Sequence, residues 1–240
     1  MKVKSNLLIL CKIVVVFTLV WYLPTKVVDG VNIINARAQG DEETPVATPV
    51  SKDKKIHIYN THQSEEYADY NVIEGANYLK DCLNNIGYAC NVEGNNFEQY
   101  KSVNNIAYNQ SYTVSKMYLE QSLASEGPYD MIIDFHRDSV AKDLSTLIHE
   151  NVSYVKVMFV VGETSGKYES VNQTSEDLSA RLNEKVPGIS RGVYVKQSHY
   201  NQGISDNMVL IEVGAHENTK EEVMHTVELL SQVINEYLEG

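Results

Sequence analysis

Three short segments of this 240-residue chain carry side chains of the kind that activate water. His62-Gln63-Ser64-Glu65 sets an imidazole three residues ahead of a carboxylate. Ile132-Ile133-Asp134-Phe135 runs straight into His136, and Met208-Val209-Leu210-Ile211 runs into Glu212 just before Gly214. Two neutral imidazoles and a carboxylate are a common ligand set for catalytic zinc, with the fourth position left to water. His62, Glu65 and His136 make up such a set. Glu212 is then the candidate for the separate carboxylate that takes a proton from water as it attacks a carbonyl. Such a centre stabilises a developing oxyanion, which is what hydrolysis of an unreactive amide requires. The pieces also have ordinary readings, since HxxE recurs by chance and a lone loop histidine usually makes a plain hydrogen bond. Glu212 is harder to set aside, because an acid inside a continuous apolar run is costly to bury unless paired or functional. His57 lies within a strand pattern and is read as structural. His149, His199, His216 and His225 are given no metal role.

The elements that must position these side chains alternate. Ile56–Tyr59, Tyr88–Val92, Met131–Phe135, Val155–Val161, Val193–Val195 and Met208–Val213 read as strands. Three of them are nearly continuous apolar runs, the pattern of strands covered on both faces. Between them, Glu66–Ile86, Tyr108–Ser125, Gln173–Lys185 and Thr219–Leu238 read as helices. The last has Val223, Val227, Leu230, Ile234 and Leu238 at helical spacing behind a Thr219-x-x-Glu222 capping box. This alternation predicts one open α/β domain over residues 55–240, with a mostly parallel or mixed sheet and helices on both faces. In an open parallel sheet, ligand sites form outside the carboxyl ends of the strands. If the strands are parallel, His62, Glu65, His136 and Glu212 converge on one rim.

Charge and composition narrow the function classes. The net charge is −12, and residues 1–30 carry Lys2, Lys4, Lys12 and Lys26 against Asp29. Taking that +3 from the total leaves −15 on the remainder, without a basic patch, so nucleic-acid binding is excluded as a general role. Lys2 and Lys4 precede an apolar stretch, Leu7–Leu23, interrupted by Lys12. Residues 1–28 are read as an uncleaved membrane anchor, with a cleaved secretory signal as the alternative. Either reading exports the rest of the chain. Residues 29–54, with Asp41-Glu42-Glu43, Pro45 and Pro49, read as a flexible acidic linker. Cys82 and Cys90 are expected to be free thiols.

The same segments resemble a known family. Ile58-Tyr59-Asn60-Thr61-His62-Gln63-Ser64-Glu65-Glu66-Tyr67 looks like the HTHTSESY signature of the stage II sporulation protein P family. Asp134-Phe135-His136-Arg137-Asp138-Ser139 resembles its DxHRDS motif, and Leu210–Thr219 its LxExGxxxNT segment. Val157–Gly162, Pro187–Gly192 and Tyr200-Asn201-Gln202 also match in the family's order, so the likeness spans about residues 55–235. The resemblance implies an amidase-like or zinc-carboxypeptidase-like α/β fold. It also implies an exported, membrane-anchored, zinc-dependent N-acetylmuramoyl-L-alanine amidase, credited with endopeptidase activity on cross-links. The implied substrate is peptidoglycan, remodelled during sporulation engulfment together with stage II sporulation proteins D and M. It assigns His62, Glu65 and His136 to the Zn2+ ion and Glu212 to catalysis. Arg137, Asp138, Ser139, Arg191 and Asn218 become candidates for contacting substrate or orienting a ligand. Asn60 stands where the family often has a second histidine. Glu66 replaces the usual small residue beside Glu65, so either carboxylate is open as the ligand, with Glu65 preferred by its offset from His62.

Two other readings stand beside this one. HxxE with a distant histidine and a later glutamate also describes zinc carboxypeptidases. Those need a cation to hold the substrate's terminal carboxylate, and Arg191 is the candidate here. A non-catalytic wall-binding scaffold is the second. With −15 on the exported part, wall recognition must rest on hydrogen bonding and stacking rather than general electrostatics. Tyr112, Tyr194 and Tyr200 are candidates for lining a sugar–peptide groove, Tyr194 more plausibly as an ordinary strand residue.

Overall fold

The computed structural model describes residues 51–240. The anchor at 1–28 and nearly all of the linker at 29–54 lie outside the described residues. Among the described residues no helix is long and apolar enough to cross a membrane. The chain forms β1 (Lys55–Tyr59), α1 (Val72–Ile86), β2 (Ala89–Val92), α2 (Phe97–Val103), a 3-10 turn (Tyr108–Gln110) and α3 (Ser111–Glu126). It continues through β3 (Met131–Asp138), α4 (Lys142–Ser145), β4 (Thr146–His149), β5 (Val152–Val155) and β6 (Val157–Gly162). The last elements are α5 (Tyr168–Lys185), β7 (Ser190–Lys196), β8 (Met208–Ala215) and α6 (Lys220–Glu239).

Six strands make one sheet in the order β2-β1-β3-β8-β6-β7, and β4 and β5 pair separately as a hairpin. The β2, β1, β3 and β8 strands are mutually parallel. β6 and β7 run parallel to each other but antiparallel to β8, so the sheet is mixed. Alternate residues point to opposite faces of a strand. Ile56, Ile58, Ile133, Phe135, Val209, Ile211 and Val213 fill the larger core beneath α1, α5 and α6. Tyr59, Ile132 and Met208 point the other way, into a smaller cluster with Phe97 of α2 and Val114 and Leu119 of α3. Helices cover both faces, which is why the central strands read as unbroken apolar runs.

Several boundaries differ from the sequence pattern for local reasons. The first helix starts at Val72, not Glu66, because the Asn71 side chain caps it by accepting from the Glu74 N–H at 2.9 Å. Residues 66–71 instead close a short bridge between Glu66 and Asn71. The expected single strand over 155–161 is split at Lys156, whose N–H donates to Ser145 and whose carbonyl accepts from Gly214. Upstream, Glu150 and Asn151 adopt left-handed backbone (φ 50 and 65), which turns the β4–β5 hairpin. Cys82 and Cys90 are free, and burial pushes the Cys90 thiol up to about 12.

The turn after β8 is tightly built. Gly214 has φ +69, and a Cβ there would meet Val155 Cβ at 2.8 Å, so glycine is required. Behind it, Thr219 and Glu222 form the reciprocal capping box that starts α6. Burial raises the Glu222 carboxyl, but bonds from the Thr219 backbone, Asn218, Lys142 and Ser153 outweigh it and hold it below its usual 4.5. A carboxyl depressed in the fold adds stability above its unfolded value and loses it as pH falls through the folded one. Glu222→Gln is therefore expected to lose about 1 kcal/mol at neutral pH. The gap between parent and variant should close as denaturation is repeated below pH 4.5. A gap that widens on acidification would contradict this role.

Candidate active site

Register sets the first pair of functional groups. β3 and β8 align His136 with Glu212 directly, and Asp134 with Leu210. Neighbouring strands lie about 4.8 Å apart, and in-register residues share a face. His136 and Glu212 therefore emerge side by side on the α3 face, in the carboxyl-terminal halves of their strands rather than on loops beyond them. On the other side of Glu212, antiparallel β6 contributes Met158 at the same level.

β1 delivers the rest. After Tyr59 the chain leaves the sheet, and the buried Asn60 amide pins the exit by donating to Phe135 O (2.6 Å) and Val72 O (3.2 Å). Asn60, at the position where the resemblance suggests a second histidine, thus holds the turn. His62 follows, its ring centroid 5.4 Å from that of His136, so both imidazoles lie at the same end of the sheet. The Glu65 N–H closes the turn onto His62 O, and Glu65 Oε2 comes 3.4 Å from His136 Nδ1. The same oxygen accepts the Arg137 N–H at 3.2 Å. Glu66 is exposed, and its carbonyl accepts from Arg137 Nε. Of the two adjacent carboxylates, Glu65 is the one beside His136.

Asp134 was not singled out in the sequence, and it stands at the centre of the electrostatics. It is fully buried, accepts from the Thr61 N–H (3.0 Å) and hydroxyl (2.8 Å), and lies 2.8 Å from His136 Nε2. That last contact is off the N–H line, so Nε2 is close to a charge without a formed hydrogen bond. Its signal was present in the sequence as an acid inside the apolar run Met131–Phe135, the same argument that singled out Glu212. Burial disfavours charge on His136, but Asp134, Glu65 and Glu212 outweigh it and hold the ring protonated well above 6.5. His62 goes the other way: burial and the neighbouring His136 lower it, leaving a neutral ring. Burial is the main cause that pushes Glu212 up to about 7, with Glu65, Asp138 and Asp134 adding to it and His136 opposing.

Among the described residues five buried polar side-chain atoms have no hydrogen-bond partner: His62 Nδ1, Glu212 Oε2 and His136 Nε2 (the last against Asp134) at this place, and Tyr59 Oη and His57 Nε2 farther back along β1. Orphaned buried donors and acceptors are rare and mark a site built for something else to complete it. Among the described residues no three His, Cys, Asp or Glu side chains close around a single point as they lie. The donors His62, Glu65 and His136 are gathered in one neighbourhood, and their chemistry of two imidazoles and a carboxylate suits zinc.

The other expected residues take distinct places. Arg137 bridges the Glu66 and Asp138 carbonyls. Asp138 pairs with Arg191 at 2.6 Å and accepts from the Ser139 N–H. Arg191, the cation a carboxypeptidase clamp would need, is thus already engaged. Asn218 is fully buried, with bonds to the Ala215 N–H, Ser145, Thr146 and Glu222. It reaches the site only by holding the turn after Glu212. Tyr108 was not anticipated, since an exposed aromatic in a 3-10 turn carries no periodic signal. Its ring stacks on His62 at 4.6 Å. Tyr112 meets His62 edge-on at 5.7 Å and Tyr200 at 5.4 Å, while Tyr194 is exposed beneath Lys196 on β7. His57 is structural as expected, stacked on Tyr129 and bonded to Asn91.

Comparison with known proteins supplies a family. The model of the stage II sporulation protein P family matches residues 29–235. The stage II sporulation protein P of Bacillus subtilis (strain 168) is 27% identical over 215 residues, covering 81% of this chain and 54% of that protein. This chain therefore spans about half the length of that curated relative. Among solved structures, the CwlD amidase from Clostridioides difficile, in complex with the GerS lipoprotein, is similar with a TM-score of 0.53. It is 15% identical, with 78% of this chain and 99% of that chain covered. At that identity the likeness is one of fold.

Removing Asp134 should expose how far the site depends on it. Asp134→Ala leaves the Thr61 N–H and hydroxyl without an acceptor and is expected to cost about 3 kcal/mol in urea unfolding. Asp134→Asn should recover part of the loss. An unfolding midpoint for the alanine variant equal to the parent's would contradict this.

Proposed function

The chain belongs to the stage II sporulation protein P family, and from that premise we propose that it is a zinc-dependent peptidoglycan hydrolase. We take the bond cleaved to be the amide between the lactyl group of N-acetylmuramic acid and the stem peptide. Endopeptidase activity on cross-links would use the same groups. The observation that carries this reading is the meeting of His62 and His136, 5.4 Å apart, with Glu65 against one ring and Glu212 next to it in register.

His62, Glu65 and His136 would hold the zinc. When bound, zinc supplies a Lewis acid for the amide carbonyl and lowers the pKa of water. The chain's own part is proton handling and positioning. Glu212, lifted to about 7 by burial, is poised to accept a proton from water near neutral pH and pass it to the departing amide nitrogen. Asp134 lies against His136 Nε2 at 2.8 Å, which leaves Nδ1, beside Glu65, as the nitrogen to face the metal. Tyr108, stacked on one face, and Tyr112, in an edge contact, brace His62. The negative surroundings of His136, which hold a proton there, favour a cation in its place. In the cell the same reading places this domain outside the cytoplasm, tethered by residues 1–28. There it acts in engulfment with stage II sporulation proteins D and M.

Metal analysis of the purified chain should give one zinc per molecule, and mass spectrometry of digested peptidoglycan should show released stem peptides. Glu212→Gln is expected to keep the zinc and lose at least about 100-fold in hydrolysis. A metal-replete variant as active as the parent would remove Glu212 from the mechanism. His136→Ala should lose the zinc, and parent-like zinc content there would overturn the ligand set.

A further inference from the structure

A cavity of about 770 Å³ opens beside the reaction centre, between α3 and the segments that follow β6 and β7. Its volume falls within the range usual for small-ligand sites, roughly 300–1,000 Å³. Tyr112 forms the wall between the two. One side of its ring meets His62, and Tyr200 meets it from the cavity.

The segment carrying Tyr200 is held in a costly conformation. Tyr200 and Asn201 are consecutive non-glycine residues with left-handed backbone, φ 46 and 59. Such residues persist only where the surroundings over-determine them, and they cluster at ligand sites. Here the surroundings are specific. Gln202 is fully buried and binds the Gly162 N–H and the Val160 carbonyl. Asn201 donates to Ser115 of α3 at 3.0 Å, and the Ser115 hydroxyl lies 3.0 Å from that of Thr61, which donates to Asp134. Gly203 and Gly162 let backbones meet: a Cβ on either would lie within 2.4 Å of the Ser165 or Ser198 carbonyl oxygen. The cavity walls are therefore fixed, and they are tied by hydrogen bonds to the carboxylate behind His136.

The lining chemistry narrows the ligand. Tyr112 and Tyr200 offer aromatic surface, and Thr113, Ser165 and Asn201 offer neutral polar groups. The charged side chains in the lining offset one another: Lys116 and Glu120 are both exposed and lie 3.8 Å apart, and His199 Nδ1 faces Thr164 O at 2.7 Å. A stem peptide brings carboxylates, which Glu120 would oppose where Lys116 attracts them. A neutral pyranose brings an apolar face for a tyrosine and hydroxyl and acetamido groups for the polar rim.

We propose that this cavity is a glycan subsite, taking an N-acetylhexosamine unit of the strand adjacent to the residue whose amide lies at Glu212. The assignment rests on the peptidoglycan reading above and adds which side of the substrate lies over α3. The enzyme would thereby prefer muramoyl-peptides still embedded in a strand.

Calorimetric titration of the full chain with peptide-free glycan strands tests it. The parent is expected to bind, and Tyr200→Ala to weaken binding about tenfold, the loss of one aromatic platform. Thr113→Trp, an exposed helix position that fills the cavity, should weaken it at least as much with unchanged thermal unfolding. No binding by the parent, or parent-like binding by Thr113→Trp whatever Tyr200→Ala does, overturns the subsite. The ratio of kcat/KM on strands to that on a single muramoyl-peptide should fall in both variants. Glycan binding without any hydrolysis would sink the amidase reading alone. Hydrolysis of both substrates without strand preference or glycan binding would sink the subsite alone.

Discussion

One register holds the site together. β3 lies against β8 so that His136 faces Glu212, and both strands are packed on two sides. A slip of one residue in β3 would turn His136 into the larger core and bring Phe135 out, and a slip in β8 would do the same to Glu212 and Ile211. The alternation of large apolar residues makes that slip prohibitive, because Ile133, Phe135, Val209 and Ile211 are all fully buried beneath α1, α5 and α6. The placement of the chemistry is thus a by-product of core packing. The functional side chains occupy the few positions on the α3 face where the strands carry no apolar residue.

That placement carries an electrostatic cost. Asp134, Glu65 and Glu212 surround a fully buried imidazole, and isolated buried charges are expensive. The structure offsets part of the cost by giving Asp134 two donors from Thr61 and leaving His136 protonated. What stays uncompensated at this place lies on His62 and Glu212. A neighbourhood with acidic surroundings and unsatisfied nitrogens is the environment a divalent cation would relieve.

The sheet and its main helices were legible because their signals are periodic: the apolar runs of β3 and β8, and the 3–4 spacing and capping box of α6. His62, His136 and Glu212 were legible because each is a polar residue at or near the end of such a run, and the structure brings them together. What escaped lacked either kind of signal. The antiparallel direction of β6 and β7 is a tertiary choice, set by the hairpin β4–β5 that turns the chain before β6. That hairpin turns on Glu150 and Asn151 without a glycine, so its turn was silent. Tyr108 owes its place to a 3-10 turn that stacks it on His62. Asp134 is the exception: it carries the signal of an acid in an apolar run, but lying one residue short of the end of Met131–Phe135 it also fits a strand residue of the motif around His136.

Membership of the stage II sporulation protein P family, the mixed α/β fold and the clustering of His62, Glu65, His136 and Glu212 stand independently of one another. On the proposed function, a single cation held by His62, Glu65 and His136, with Glu212 beside it, would account for that clustering. Anomalous diffraction at the zinc edge from crystals grown with zinc tests this most directly. The account requires one strong peak within bonding distance of His62, Glu65 and His136. No peak there, or a peak ligated by other side chains, would contradict it.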